Sequence, residues 1–81
     1  VPEMRAVAIP NGGVRLIWKP EPGVQYIVYR LNEREVPIQI SDPISTGVFT
    51  DPDGISGSSY ILRAMDASGN LSPPSSPVVA R

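Results

Sequence analysis

Hydrophobic residues recur at every second position along several short stretches of the chain, which is the pattern of a β-strand with one buried face. The clearest stretch is residues 60–65, where Tyr60, Leu62 and Ala64 share one face and the intervening residues share the other. Residues 66–70 then supply turn-forming polar side chains and a glycine. This part of the sequence therefore predicts a buried strand that ends in a tight turn.

Six further strands are predicted by the same reasoning. Short apolar or alternating runs are separated by turn signals, such as the Asn-Gly-Gly of residues 11–13 and the Asp-Pro-Asp-Gly of residues 51–54. No stretch shows the periodicity of a helix. The predicted strands cover residues 4–8, 14–19, 24–31, 36–40, 48–50, 60–65 and 78–79. Strands this short, at this spacing, predict an all-β sandwich.

The alternation also gives the longer strands an inner and an outer face. The predicted core consists of inward residues of the second, third and sixth strands: Val14, Leu16, Trp18, Tyr26, Val28, Tyr60, Leu62 and Ala64. The third and sixth strands are expected to be neighbours, so their outward residues would lie side by side. We call this set the outward stripe, and it comprises Ile27, Tyr29, Leu31, Ile61, Arg63 and Met65.

The outward stripe is the first candidate for an interaction site. A large contiguous apolar patch is typical of a docking surface, whereas scattered apolar residues are normal on any protein. Isoleucine and tyrosine also favour strands by intrinsic propensity, so ordinary strand composition explains the stripe equally well. Both interpretations stay open on the sequence alone.

Composition limits the possible functions. The chain has 81 residues, enough for one small domain, and its net charge of −1 provides no basic field to attract nucleic acid. It contains no cysteine and no histidine, which excludes disulfides, thiolate or imidazole metal sites, and catalytic triads that need these residues. No apolar run approaches the length of a membrane span. We therefore expect no cofactor and no membrane insertion.

Carboxylates remain as candidates for catalysis. All of them fall in predicted turns, loops or termini, at Glu3, Glu21, Glu33, Glu35, Asp42, Asp51, Asp53 and Asp66. None occupies a predicted inward strand position, where burial could raise its pKa for acid–base chemistry. We therefore expect no catalytic residue and no enzyme activity.

Two short motifs have both a functional and a structural interpretation. Asp51, Asp53 and Gly54 resemble the start of a calcium loop, but the further oxygen ligands of such a loop are missing, which favours a simple turn and no metal site. Asn70 and Ser72 form a sequon for N-glycosylation. A structural role in the turn is the favoured interpretation, and glycosylation of Asn70 stays open.

The order and spacing of these features resemble a fibronectin type III domain over essentially the whole chain. Residues 14–18 are similar to its second strand with the core tryptophan, residues 26–30 to its third strand, and residues 49–51 to the strand and turn before the sixth. Residues 60–66, followed by 69–72, are similar to the sixth strand and its turn, in a form that resembles domains of bacterial secreted enzymes and surface proteins. The Arg-Gly-Asp tripeptide that some members carry in this turn is absent.

The resemblance implies an immunoglobulin-like sandwich of seven antiparallel strands in Greek-key order. The first, second and fifth strands would form one sheet, and the other four would form the second. It also implies a tyrosine corner, in which the hydroxyl of Tyr60 bonds to upstream backbone near the turn between the fifth and sixth strands.

The resemblance further implies a noncatalytic module of a larger extracellular or cell-surface protein. Such a module would act as a spacer or dock against adjacent domains of the same chain, and would be a monomer when isolated. Residues 1–81 would form a single domain excised from a longer chain, with residues 71–81 as the last edge strand and the exit to a linker. The alternative is a module that binds a protein or a polysaccharide through the outer sheet face around Tyr29.

Overall fold

Seven β-strands make up the fold. The computed structural model describes residues 3–81, and no helix in this range is long and apolar enough to cross a membrane. The strands are β1 (Met4–Ala8), β2 (Val14–Trp18), β3 (Gln25–Leu31), β4 (Pro37–Gln39), β5 (Val48–Asp51), β6 (Ser59–Met65) and β7 (Val78–Val79). Each bound differs from its prediction by at most one residue, so the period-2 pattern located every strand.

The strands form two antiparallel sheets. One sheet has the order β1-β2-β5, and the other has the order β4-β3-β6-β7. This arrangement confirms the assignment of strands to sheets and the all-β sandwich class. The central pair, β3 and β6, is in register from Gln25 opposite Met65 to Arg30 opposite Tyr60. The two longest strands therefore run side by side through the middle of the larger sheet.

The core lies between the two sheets. Seven of the eight predicted core residues are buried, and the eighth, Ala64, is partly buried and packs against the others. Met4, Ala6 and Ala80 complete the buried cluster, and Phe49 packs against it. The inward positions of the alternating pattern thus form one continuous core.

Residues 71–77, which the sequence predicts to lead into a linker, run along the edge of β6. The backbone N–H groups of Ser72 and Ser75 donate to the carbonyl groups of Ala64 and Leu62, at 2.8 and 2.9 Å. The hydroxyl oxygens of the same serines accept the backbone N–H groups of Ala64 and Leu62, at 2.9 and 2.8 Å. The two intervening prolines cannot donate to a ladder. The two serines therefore attach this segment to the sheet, and β7 follows it as the predicted last edge strand. The exit to a linker stays a prediction.

Candidate functional site

A polar cluster is buried at the end of the sandwich where β5 turns toward β6. Asp51, the last residue of β5, is 3% exposed. Its Oδ2 atom accepts hydrogen bonds from Arg30 Nη1 and from the Tyr60 hydroxyl, each at 2.8 Å. Its Oδ1 atom accepts the backbone N–H of Asp53 at 3.2 Å. Both carboxylate oxygens are therefore bonded within the fold.

The turn after β5 leaves room for this cluster because Gly54 has no side chain. The backbone N–H of Gly54 donates to the carbonyl oxygen of Asp51 at 3.2 Å, which closes the turn. A Cβ atom at Gly54 would collide with the hydroxyl oxygen of Tyr60 and would lie 2.8 Å from Val14 Cγ2. These bonds confirm the turn interpretation of residues 51–54, in which Asp51, the last residue of β5, also accepts the N–H of Asp53. Among residues 3–81 no group of three or more acidic side chains is placed to hold a metal ion.

The pKa values of two members of the cluster, Tyr60 and Arg30, are raised. Burial, together with the hydrogen bond to Asp51, raises the pKa of Tyr60 to about 12. The hydrogen bond to Asp51 also raises the pKa of Arg30 above its ordinary value. A catalytic base must reach a proton of its substrate, whereas the Asp51 carboxylate is buried and fully bonded. The cluster therefore stabilises the fold and has no free group for catalysis.

Two predictions about these residues are wrong. Asp51 lies at a buried strand position and not in an exposed turn, because β5 extends one residue further than predicted. The Tyr60 hydroxyl bonds to a side-chain carboxylate and not to backbone. The spacing from Phe49 carried the missed signal, since residues two apart in a strand share a face and Phe49 packs on the core.

The opposite end of the core holds an aromatic pair. The ring centroids of Trp18 and Tyr26 lie 5.7 Å apart at an interplanar angle of 59°. The Tyr26 hydroxyl accepts the backbone N–H of Glu21 at 3.0 Å, and Trp18 Nε1 is buried without a hydrogen-bond partner among the described residues. Both rings are buried, as predicted, so they cannot form part of a binding platform.

The outward stripe shares one face of the larger sheet, but its exposure differs from the prediction. In the register of β3 and β6, Ile27 lies opposite Arg63 and Tyr29 lies opposite Ile61. Ile27 and Ile61 are each only 6% exposed, so the prediction that they face solvent is wrong. The other four members are partly buried: Tyr29, Leu31, Arg63 and Met65. Both isoleucines lie on central strands with a larger side chain directly opposite, Arg63 for Ile27 and Tyr29 for Ile61.

The outer face of the smaller sheet was missed by sequence reasoning. Val7, Ile17 and Val48 are 47%, 43% and 48% exposed. In the register of the sheet, Ile17 lies between Arg5 and Val48. In the adjacent row, Arg15 lies between Val7 and Thr50. We call this set the basic face, and it comprises Arg5, Val7, Arg15, Ile17, Val48 and Thr50. The signal was present, because both β1 and β2 alternate an arginine with an aliphatic residue on their outward positions.

The turn after β6 engages the residues of the glycosylation sequon. The Asp66 carboxylate accepts the backbone N–H groups of Ser68 and Asn70, each at 2.9 Å, and the side-chain amide of Asn70 at 3.2 Å. These bonds, chiefly those from Asn70, lower the pKa of Asp66. The amide of Asn70 serves the turn, and the hydroxyl of Ser72 serves the sheet edge. This geometry supports the structural interpretation of the motif.

Three solved structures share this architecture. An Fn3-like protein from Clostridium thermocellum has a TM-score of 0.82 and 23% sequence identity, over 98% of this chain and 86% of that one. The rhamnogalacturonan lyase YesW has a TM-score of 0.78 and 24% identity, over 99% of this chain but 13% of the lyase. Titin module A71 from human cardiac muscle has a TM-score of 0.63 and 27% identity, over 96% and 86% of the two chains. No family model matches the chain, and no curated protein matches it in sequence.

The fold and the closed polar cluster thus define an immunoglobulin-like sandwich domain. More particularly, the chain has the fibronectin type III fold, as the resemblance implied. This fold occurs as a module of larger proteins, since it accounts for only 13% of the lyase chain.

Proposed function

We propose that the chain is a noncatalytic module that serves as a spacer or docking unit within a larger extracellular or cell-surface protein. The observation that carries this proposal is the closed cluster around Asp51. An acid–base catalyst needs a carboxyl group that substrate can reach and whose pKa burial has raised. The one buried carboxylate of residues 3–81 is bonded to Arg30, Tyr60 and the backbone of Asp53.

The comparisons support the same role. A domain of this fold is one small part of a rhamnogalacturonan lyase, which is the setting expected of an accessory module. A bacterial protein also shares the fold. In such a setting the module would contact the adjacent domains of its own chain.

An amide-resolved NMR titration tests this role. The chain is mixed with the neighbouring domain of its parent protein and, separately, with soluble polysaccharides that include rhamnogalacturonan. A docking unit gives localised shifts with the neighbouring domain only, and a spacer gives none with either. Release of sugar products from any polysaccharide by the chain alone would contradict the noncatalytic role.

Polysaccharide binding around Tyr29 is the outcome that would replace the docking role. Tyr29 is partly buried, and the register places Gln39 and Ile61 on either side of it. A sugar-binding platform here would consist of a single aromatic ring, since Trp18, Tyr26 and Tyr60 are all buried. Shifts around Tyr29 with a polysaccharide, and none with the neighbouring domain, would establish this function.

A further inference from the structure

The basic face has charges that the fold does not use. Arg30 and Asp51 form the only ion pair within residues 3–81, so Arg5 and Arg15 have no ion-pair partner in this part of the chain. No acidic residue lies on the outward positions of the three strands, and Glu3 and Lys19 just beyond them offset each other. Half-exposed aliphatic side chains separate the two arginines. The face thus combines unpaired positive charge with apolar surface.

The end of the sandwich formed by the β3–β4 loop and the β5–β6 turn has the opposite character. A cleft of about 520 Å³ there is lined by Glu33, Asp53, Ile38 and Ile55, together with Arg34 and with Arg30, which is paired with Asp51. Ile38 and Ile55 are 47% and 71% exposed. Glu35 and Val36 continue the same loop, and Val36 is 50% exposed. We call this set the acidic end, and it comprises Glu33, Glu35, Val36, Ile38, Asp53 and Ile55. It carries three carboxylates and is accompanied by one cation, Arg34, that has no ion-pair partner within residues 3–81, so negative charge is in excess.

A strained residue in the β3–β4 loop singles out one of these carboxylates. Glu35 has a φ angle of 60°, in the left-handed region where side chains other than glycine and asparagine are disfavoured. The loop is already closed without the Glu35 side chain, because Asn32 Oδ1 accepts the N–H groups of Arg34 and Val36, at 2.8 and 3.0 Å. The positive φ belongs to the turn, in which the N–H of Glu35 donates to the carbonyl of Asn32 at 2.9 Å. The Glu35 carboxylate itself makes no ion pair within residues 3–81, so it is available to a partner.

We infer that the basic face of one copy of this chain binds the acidic end of a second copy. Each surface has an excess of unpaired charge of one sign around exposed aliphatic residues, so the two are complementary in both charge and polarity. The aliphatic residues favour a protein surface over a polyanionic sugar chain, because neither surface has an exposed aromatic ring on which a sugar could stack. This inference goes beyond the proposed function, which names no surface.

The contact joins two different surfaces and is therefore heterologous, so it does not produce a closed symmetric dimer. Each associated copy leaves one basic face and one acidic end free, and a heterologous contact of this kind produces open chains of copies. The small charged surfaces predict weak, salt-sensitive association. In dilute solution the chain is therefore expected to be a monomer, as the resemblance implies, and to associate only at higher concentration.

Sedimentation velocity over a wide range of concentration at low salt tests the contact. Two double variants reverse the two surfaces: Arg5→Glu with Arg15→Glu, and Glu33→Lys with Glu35→Lys. Each is expected to weaken self-association by about tenfold, since each replaces attraction by like-charge repulsion. A mixture of the two variants is expected to associate again, because a reversed surface on one variant meets its complement on the other.

A matched control separates this contact from a general effect of charge. Glu21→Lys with Asp42→Lys changes the net charge as much as the second variant does, at exposed positions outside both surfaces. It is expected to self-associate within about twofold of the natural chain. Circular dichroism and thermal unfolding verify that every variant is folded. Self-association is measured on the chain alone, so its outcome does not depend on whether the chain acts as a spacer or docks against a neighbouring domain.

Three results would overturn the inference. The first is a chain that stays monomeric at its highest soluble concentration in low salt. The second is equal weakening in the test and control variants. The third is binding of polygalacturonate to the basic face by a chain whose copies do not associate, since the face would then be a site for an acidic polysaccharide.

Discussion

The buried cluster around Asp51 and the basic face contain the same kinds of charged residue in opposite situations. In the cluster, Arg30 is paired with a carboxylate at 2.8 Å, and that carboxylate also accepts the Tyr60 hydroxyl. On the basic face, Arg5 and Arg15 lie in exposed rows of the sheet with no ion-pair partner among the described residues. Paired charge in the interior contributes to stability, whereas unpaired charge on a sheet face is available for binding.

This difference separates two kinds of mutation. Changes in the cluster should lower the free energy of unfolding and leave association unchanged at temperatures where the variant is folded. Changes on the basic face or the acidic end should alter self-association and have a much smaller effect on the free energy of unfolding. The following predictions test that separation.

Replacement of Asp51 by alanine is expected to have the largest effect on stability. It leaves the Tyr60 hydroxyl, the Arg30 guanidinium and a backbone N–H without their acceptor, and removing one partner of a buried pair costs about 3–5 kcal/mol. Arg30 is 32% exposed and can be hydrated, so we expect about 2–4 kcal/mol in urea denaturation. Asp53→Ala is the matched exposed control, with a loss below about 1 kcal/mol. Equal losses in both variants would contradict the account.

Replacement of Tyr60 by phenylalanine is expected to cost about 1–2 kcal/mol, because it removes one buried hydrogen bond to a charged acceptor. The ring and its packing stay in place, so the loss should be smaller than that of Asp51→Ala. Urea denaturation at neutral pH measures it. An unchanged midpoint would show that the hydroxyl contributes nothing.

Alkaline pH tests the same hydrogen bond. The pKa of Tyr60 is about 12 in the folded chain against 10.0 as its ordinary value. A raised pKa contributes stability that is present below pH 10 and is lost as the pH rises toward 12. The natural chain should therefore lose stability over this window more steeply than Tyr60→Phe. Parallel curves for the two proteins would contradict the hydrogen-bonded arrangement.

Replacement of Glu35 by glycine is expected to stabilise the fold while it weakens association. Glycine adopts a φ of 60° without steric cost, and its greater freedom in the unfolded chain offsets part of the gain, so we expect up to about 1 kcal/mol. Loss of the carboxylate should weaken self-association severalfold. Glu33→Gly is the control, since it weakens association without the gain in stability. A Glu35→Gly variant that associates normally would remove the proposed role of this side chain.

Replacement of Arg15 by glutamate is expected to have the smallest effect on stability, within about 0.5 kcal/mol, since the side chain is exposed. Its self-association should weaken severalfold. The same chemical change at Arg34, on the acidic end, should strengthen association because it adds negative charge there. Effects of the same sign at the two positions, measured by sedimentation, would contradict the complementarity of the surfaces.

The alternation of the sequence predicted the strands and their two faces, but not how exposed each face would be. The period of a strand determines on which side Ile27 and Ile61 lie, whereas their exposure depends on the size of the residues opposite them, Arg63 and Tyr29. That information requires the register between strands, which no local pattern contains. The exposed aliphatic residues were consequently expected on the wrong sheet.

The buried cluster could be predicted only in part. Tyr60 was expected to be buried with a bonded hydroxyl, and both features are present. The predicted acceptor, upstream backbone, is wrong, because the acceptor is the Asp51 carboxylate, and the aspartate of an Asp-Pro-Asp-Gly motif is normally a turn residue. Arg30 follows a buried run in β3, and nothing in the sequence connects it with a residue in β5.

The most direct test of the central claim is an amide-resolved NMR series of the chain at low salt, from dilute to concentrated solution. The account predicts that concentration-dependent shifts appear on the basic face and at the acidic end, around Arg15 and Glu35, and disappear at high salt. It predicts no shifts around Trp18 and Tyr26, at the opposite end of the core. An unchanged spectrum, or shifts centred on the outward stripe around Tyr29, would contradict it.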